Sequence, residues 1–223
     1  MKEVIIVSIS NDECLQSLIK SIKKLDYIDP DDIPNIDLYM DQVTTFIDGH
    51  LKSSKRFTED KLLTKTMINN YTKNNLLPSP NKKKYSKEHI LLLIFIYYFK
   101  NILSISDIQH IFNPLTEKYY GGKSPIGLEA IYKEVFAHEK DQMDNLLKDV
   151  IKKFKISRET FKDVDSEEDR EFLNTFSFIC MLSFDVYVKK QMIEKLIDES
   201  ILDKIDKNIN RSTDKNKGSD KNH

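Results

Sequence analysis

The chain has 223 residues, which is enough for one compact domain with an appendage or for two small domains. Its 35 basic and 36 acidic residues give a net charge of −1, so only a local concentration of charge can indicate a nucleic-acid surface. Five glycines and six prolines, among many Lys, Glu, Leu and Ile residues, favour a mainly helical fold.

Cysteine usage and hydropathy argue against several classes of protein. Cys14 and Cys180 are isolated, which argues against a metal site and against a disulfide framework. The N-terminal apolar run is too short for a signal peptide, and the longest apolar run, Ile90–Phe99, is about half a membrane span. We therefore expect a cytoplasmic protein that has no cofactor, no metal and no membrane segment.

The first 50 residues are predicted to hold two helices joined by an acidic linker. Ser10–Glu13 has the S-x-x-E form of a capping box, and the helix that it opens is expected to end near Tyr27. A second helix is expected over Asp37–Leu51. The stretch from Asp26 to His50 contains seven aspartates and no Lys or Arg, so we do not expect it to face phosphates.

A short polar helix and a basic hairpin are predicted next. Thr64 is a suitable N-cap for a helix over Lys65–Asn74, and the Asn74-Asn75 pair is a suitable stop. Pro78 and Pro80 then favour an extended chain. The segment that follows, Asn81–Lys84, is expected to form the tip of a small hairpin.

Two further helices should complete this region. Ser86 is the predicted cap of a helix to about Lys100, which is apolar on nearly every face and should lie at the domain centre. Ser104-x-x-Asp107 is expected to open a short helix that ends at Phe112. The loop Thr116–Lys123 carries a Gly-Gly pair, which we interpret as a hinge because no complete phosphate-binding motif is present.

The remainder of the chain is predicted to form a helical hairpin and a tail. One long helix should begin at Ser124-Pro125 and end near Lys155, and a second should span about Glu167–Asp203. Two such helices should pack antiparallel. Their surplus apolar surface is expected to lie against the preceding domain or against a second copy. Residues Lys207–His223 are expected to be disordered.

Positive charge is concentrated around the predicted short helix. Between Lys61 and Ile90 there are seven lysines against the single acidic residue Glu88, a local charge of +6. Phosphate neutralisation gives affinity, whereas asparagine and lysine side chains on a helix face can pair with base edges. The predicted DNA-contacting residues are Lys65, Thr66, Asn69, Asn70, Lys73, Lys82, Lys83, Lys84 and Tyr85.

Residues Thr64–Phe112 resemble the MerR-type winged helix-turn-helix. The resemblance is carried by the order M-I-N-N-Y-T-K-N-N-L-L-P-S-P-N-K-K-K-Y-S-K-E-H-I-L, followed by S-I-S-D-I. It also resembles the YkrK-like proteins of unknown function from low-GC Gram-positive bacteria, which share this MerR-like part and a helical remainder. The resemblance implies that helix 65–74 enters the major groove and that 81–85 form a wing on the DNA backbone. It also implies that Asp37–Leu51 is the first helix of the motif.

The expected organisation is therefore mainly α, with a MerR-like winged helix-turn-helix, a small β-hairpin wing and a C-terminal long-helix hairpin. The expected divisions are an N-terminal helix and acidic linker over 1–35, a DNA-binding domain over 36–113, a helical dimerisation or regulatory region over 114–206 and a tail over 207–223. The expected partners are double-stranded DNA and, through the C-terminal helices, a second copy. No small-molecule effector is indicated.

The leading hypothesis is a sequence-specific transcriptional regulator. The alternative is a helical protein-interaction adaptor that keeps the MerR-like fold without reading DNA. An enzyme is the least favoured hypothesis. The acidic run from Asp163 to Asp169 suggests a helix cap followed by an acidic first turn rather than a catalytic or metal cluster.

Overall fold

The computed structural model describes residues 11–23 and 28–217, and over these ranges the chain is mainly helical, as its composition predicts. The predicted cap at Ser10 and the predicted helix end near Tyr27 lie outside the described residues. The elements are α1 (Asn11–Lys23), β1 (Leu38–Tyr39), α2 (Met40–His50), α3 (Lys65–Lys73), β2 (Lys84–Tyr85), α4 (Lys87–Phe99), α5 (Ile105–Tyr119), α6 (Leu128–Arg158) and α7 (Glu167–Lys217), with 3₁₀ turns at Pro30–Asp32, Lys52–Ser54 and Tyr120–Gly122.

The core is organised around α4, as its sequence predicts. Residues Ile90–Ile94 and Ile96 are fully buried, at 0% exposure. A helix that is apolar on every face has to be covered on every side, and α2, α3, α5 and the first half of α6 contribute to the same buried cluster.

The only sheet in the described part of the chain joins segments that are distant in sequence. β1 and β2 pair antiparallel, with Leu38 opposite Tyr85 and Tyr39 opposite Lys84. The second helix therefore begins at Met40 rather than at Asp37, because the residues before it are extended by this pairing. The predicted hairpin is reduced to a tight turn closed by the bridge between Asn81 and Lys84.

Helix α5 corrects the predicted short helix and loop. It runs past Phe112 to Tyr119 with Pro114 inside it, so the predicted loop starts only at Tyr120. The Thr116 hydroxyl donates to the carbonyl of Phe112 at 2.9 Å, whereas the carbonyl that loses its helical N–H partner to Pro114 is that of His110, four residues earlier. Similarly, α6 begins at Leu128 rather than at Ser124 and ends at Arg158 rather than near Lys155.

The hydrophobic cluster crosses the predicted domain boundaries. Leu128 and Tyr132 of α6 and Ile197 of α7 belong to the cluster that contains α4. The Tyr132 hydroxyl also donates to the carbonyl of Ile28 at 2.9 Å, across 104 positions of sequence. The segment around Ile28 and the first half of α6 therefore complete the core of the predicted 36–113 domain, because α4 needs apolar cover that this span alone does not supply.

The second half of α6 and the first half of α7 form the predicted antiparallel hairpin. Thr160 bonds to Asn174 at 3.1 Å, whereas Lys153 pairs with Asp185 at 2.7 Å. Residues further along α7 therefore contact residues earlier in the chain of α6, as in an antiparallel pair. Helix α7 continues beyond the expected end at Asp203 to Lys217, into the segment predicted to be disordered, and residues 218–223 lie outside the described residues.

Helix α7 also carries a long apolar stretch that is interrupted by charged residues and is therefore not the longest unbroken apolar run of the sequence. Its residues Glu167–Glu199 are long and apolar enough to cross a membrane by length and composition alone. Only 11% of the most apolar window is buried inside the protein. This stretch is therefore an open apolar surface in the single chain.

Candidate nucleic-acid interface

Helix α3 begins at Lys65 and has the orientation that its sequence predicts, and it ends at Lys73, one residue before the predicted Asn74. The Thr64 hydroxyl accepts a hydrogen bond from the Met67 N–H at 3.1 Å and so caps the first turn. Asn75 has a φ of +55°, the left-handed conformation that ends a helix. Ile68 and Tyr71 point into the core, at 0% and 6% exposure.

The opposite face of α3 is polar and exposed. At 100° per residue its exposed side chains span an arc of about 140°. None of the five is acidic, so the face offers lysine ammoniums, a hydroxyl and two amides. They are the five residues predicted from the sequence, Lys65, Thr66, Asn69, Asn70 and Lys73.

The basic tip is a tight turn in an uncommon conformation. Lys82 and Lys83 both have positive φ, at +48° and +65°, and the Lys84 N–H donates to the carbonyl of Asn81 at 2.9 Å. Two central residues with positive φ define a type I′ turn, which usually contains Asn and Gly because they tolerate this conformation. Here two lysines occupy it, and both are exposed. The turn therefore presents two ammonium groups at a strained site.

The turn is attached to the start of α2. Besides the strand pairing, the ammonium of Lys84 lies 5.2 Å from the centroid of the Tyr39 ring. Tyr39 precedes α2 and donates its N–H to the Gln42 side chain at 2.8 Å, and its own side chain is 54% exposed. The contact therefore attaches the basic turn to the N-terminal end of α2.

The start of α3 is attached to the same end of α2. Lys65, its first residue, forms an ion pair with Asp41, and both side chains are mostly exposed, at 61% and 73%. Lys65 and Lys84 thus contact two residues, Asp41 and Tyr39, that are only two positions apart. The polar face of α3 and the basic turn consequently border a common patch, even though residues 51–64 separate α2 from α3 by a longer turn than a helix-turn-helix usually has.

Two residues beside the basic turn, Tyr85 and Lys87, are less accessible for DNA contact than the sequence predicted. Tyr85 is 3% exposed, so its assignment to the DNA-contacting set is corrected. It points inward because strand pairing places it opposite Leu38, and its ring lies edge-on to His89. Lys87, which was counted in the local charge, is bound by Glu129 at 3.0 Å and has a side chain that is 18% exposed.

A buried histidine holds the start of α4 behind the turn. His89 is 2% exposed, and its Nδ1 accepts a hydrogen bond from the Ser86 N–H at 3.0 Å. Its Nε2 lies 3.1 Å from the Tyr120 hydroxyl. Burial lowers the pKa of His89, and hydrogen bonds to the backbone of Ser79 and Pro78 oppose that shift only in part. The neutral ring therefore links α4, the segment before the turn and the loop after α5.

The Gly-Gly loop has a structural explanation. Gly121 and Gly122 both have a φ of +72°, and the Gly121 N–H donates to the Glu88 carboxylate at 2.9 Å. The Gly121 N–H is thus already paired with a carboxylate of the protein. Among the described residues, no three His, Cys, Asp or Glu side chains are arranged to hold a metal ion.

Tyr39 and Asp41 were not predicted as members of this patch. They lie in the acidic stretch that was expected not to face phosphates, and Asp41 in fact touches the first residue of α3. The alternation of Leu38 and Tyr39 is a strand signal in retrospect, since Leu38 is buried and Tyr39 is exposed. The pairing with Lys84 is not encoded in any local pattern.

Residues 28–135 match the model of a family described as a domain of unknown function (DUF1836). Neither the curated proteins nor the solved structures contain a match to the chain. The matched residues run from Ile28 to the middle of α6, and the hydrophobic cluster includes Ile28 and Tyr132 near those two limits. The family description assigns no activity, so the match delimits the segment that contains α3 and the basic turn.

Proposed function

We propose that this chain is a sequence-specific DNA-binding protein that regulates transcription in the cytoplasm. Helix α3 enters the major groove, and the turn at Asn81–Lys84 contacts the neighbouring backbone. The observation that carries the proposal is that Lys65 and Lys84 contact Asp41 and Tyr39, two positions apart at one end of α2. A groove-reading helix and a backbone-contacting turn are thereby held side by side.

Chemical complementarity supports the roles of the individual side chains. Asn69 and Asn70 carry amides that can pair bidentately with adenine, and Lys65 can reach guanine once it leaves Asp41. Lys82 and Lys83 present charge without a base-reading group, which suits phosphates. Tyr39 lies between the two regions, and we add its exposed ring to the proposed contact set.

The arrangement is consistent with a winged helix-turn-helix of the MerR type, with α2 and α3 as its two helices. The wing is then the turn between Asn81 and Lys84, and its sheet partner is β1 rather than a neighbouring strand. One helix of nine residues reads only a few base pairs, so a useful operator requires two copies of the chain.

The test is selection of bound sites from random double-stranded DNA with the full chain, followed by titration of the selected site. A common motif should be enriched, and affinity should fall steeply between about 50 and about 200 mM salt, because each phosphate contact releases counterions. Absence of enrichment together with salt-independent binding would contradict the proposal.

A protein-interaction adaptor is the second candidate, and the exposed apolar surface of α7 favours it. That surface is large for a chain acting alone, and its residues include Phe172 and Phe184, at 68% and 65% exposure. An adaptor of this kind would show no salt-dependent retention on DNA of any sequence, so the same titration separates the two functions.

A further inference from the structure

One face of α7 is a regular apolar stripe that contacts nothing in the described chain strongly enough to bury it. Phe172, Phe176, Ile179 and Val186 are 68%, 53%, 54% and 61% exposed. They follow one another at spacings of four, three and seven residues, with Ser183 on the same face. Spacing of this kind places the side chains on the narrow seam that a helix uses to pack against another helix.

The stripe is directed away from the hairpin partner of α7. Asn174 and Phe178 are the α7 side chains most deeply buried in the hairpin, at 3% and 6% exposure, and Phe178 packs edge-on against Phe154 of α6. At 100° per residue Asn174 lies about 140° and Phe178 about 100° around the helix from Ile179, on the side turned away from the stripe. Helix α6 therefore covers one side of α7 and leaves the stripe exposed, together with Phe184 and Tyr187 beside it.

A lipid bilayer is a poor occupant for this face. Lys153 of α6 pairs with Asp185 of α7 at 2.7 Å, in the middle of the apolar stretch. The matching part of α6 also carries Lys148, Asp149 and Lys152. Insertion of α7 would carry this charged helix into the hydrocarbon, where each charge costs several kcal/mol. The occupant is therefore expected to be a protein surface in water.

The charges that flank the stripe are arranged symmetrically about Ile179. Phe172 and Val186 each lie seven residues from it, and Glu168 and Lys190 each lie eleven residues from it. Glu168 and Lys190 are on the stripe side of the helix at this periodicity. A second α7 packed antiparallel about Ile179 would thus place Glu168 of each copy opposite Lys190 of the other, where Lys190 now pairs with Glu194 of its own helix.

The length of α7 that is open to a partner helix has the same limits as this charge pattern. Beyond Lys190 the helix returns to the main core, where Ile193 is partly buried and Ile197 is 6% exposed. In the antiparallel arrangement, the first residue of a partner α7, Glu167, lies opposite Gln191. The partner helix therefore begins where this helix starts to be covered by its own core.

We propose that two copies of this chain associate through α7, antiparallel, with Ile179 on the two-fold axis. The proposal rests on the α7 surface and does not depend on DNA binding. The association presents two copies of α3 in one particle, which deepens the proposed function if that function holds.

Cysteine cross-linking of the full chain tests the direction of the pairing. In a background with Cys14→Ser and Cys180→Ser, Phe172→Cys protein is mixed with Val186→Cys protein and oxidised mildly. The mixture should form a disulfide between the two variants, whereas each variant alone should not, because its own two sites lie about 21 Å apart along the axis. Cross-linking of either variant with itself, or no cross-linking in the mixture, would overturn the antiparallel arrangement.

Sedimentation of single variants without DNA tests the surface. Ile179→Asp should weaken self-association by at least about 30-fold, as expected for a residue at the centre of an interface. Ile126→Asp makes the same change at another exposed isoleucine, at 56% exposure, and should leave association unchanged. Glu168→Lys alone should weaken association, and adding Lys190→Glu should restore it.

Flotation with vesicles of phosphatidylcholine and phosphatidylglycerol tests the membrane alternative. The full chain should stay unbound, and binding that Ile179→Asp abolishes would overturn the proposal in favour of lipid. A monomeric wild-type chain at micromolar concentration would also overturn it. None of these outcomes bears on DNA reading by a single α3, because a monomeric chain that still enriches a half-site motif retains the proposed major-groove contact.

Discussion

Lys65, at the start of α3, forms an ion pair with Asp41 in the first turn of α2, and both side chains remain open to solvent. This pair holds a cation of the proposed groove-reading face beside a carboxylate that repels phosphate. An exposed ion pair contributes at most about 1 kcal/mol, so DNA can displace it at little cost. The pair is therefore compatible with binding but is expected to weaken it.

Asp41→Asn should strengthen DNA binding about fivefold, because it frees Lys65 and removes a like charge, a gain of about 1 kcal/mol. Fluorescence anisotropy with the selected site measures the change. Asp144→Asn, which alters the net charge equally at an exposed position of α6, is the matched control and should have no effect. Equal gains in the two variants would indicate a global charge effect instead.

Lys83→Glu should weaken binding to all DNA sequences by a similar factor, because this turn residue is assigned to phosphates. The slope of log affinity against log salt should also decrease in magnitude by about 1. The measurement is titration of specific and unrelated duplexes at several salt concentrations. Lys148→Glu on α6 provides the same charge change at an exposed site outside the patch. A loss confined to the selected sequence would contradict the assignment.

Asn70→Ala should relax sequence preference at one or two positions of the operator, by about 1–3 kcal/mol each. Its side chain is exposed on α3, so folding should be unaffected. Repeated site selection with the variant measures the preference position by position. Retention of an unchanged motif would remove Asn70 from the base-reading set, whereas a uniform loss of affinity would reassign it to the backbone.

Lys83→Gly should stabilise the fold by about 1 kcal/mol, because glycine adopts a φ of +65° without the steric cost that lysine incurs. Denaturant unfolding measures the free-energy difference. Lys148→Gly is the opposite control, since this exposed position lies in the interior of α6 and glycine should cost about 1 kcal/mol there. If Lys83→Gly destabilises the chain, the positive φ is not a source of strain.

Acidification should destabilise the fold through His89. Burial lowers its pKa in the folded chain, so the unfolded chain binds the proton more readily. The free energy of unfolding should be flat above the ordinary histidine pKa of about 6.5 and should decline as the pH falls below it. Protonation of Nδ1 would also remove the acceptor that binds the Ser86 N–H.

Denaturant unfolding across this pH range provides the measurement for His89. In His89→Gln the pH dependence should be flatter, because glutamine supplies a capping acceptor that does not titrate. His110→Gln, the same substitution at an exposed histidine of α5, should change the dependence less than His89→Gln does. Equal slopes for His89→Gln and the wild type would assign the effect to another group.

The local patterns of the sequence determined the helices and their faces. Thr64 and Ser104 each cap a helix as predicted, because a cap depends only on side chains within three residues. The apolar run in α4 also predicted that this helix is buried, because a helix that is apolar on every face is unstable when exposed to water. The polar face of α3 followed from helical periodicity once its inner residues were assigned.

Only the tertiary structure decided which of these faces meet. The pairing of Leu38–Tyr39 with Lys84–Tyr85 spans more than 40 residues, so no local signal placed Tyr39 in the patch or turned Tyr85 inward. The ion pair of Lys65 with Asp41 likewise brings a basic helix into contact with an acidic stretch that the sequence analysis assigned to a different surface. The stripe of α7 is exposed because α6 covers only one side of that helix. The sequence could not predict this, because apolar residues indicate a need for burial but not the surface that provides it.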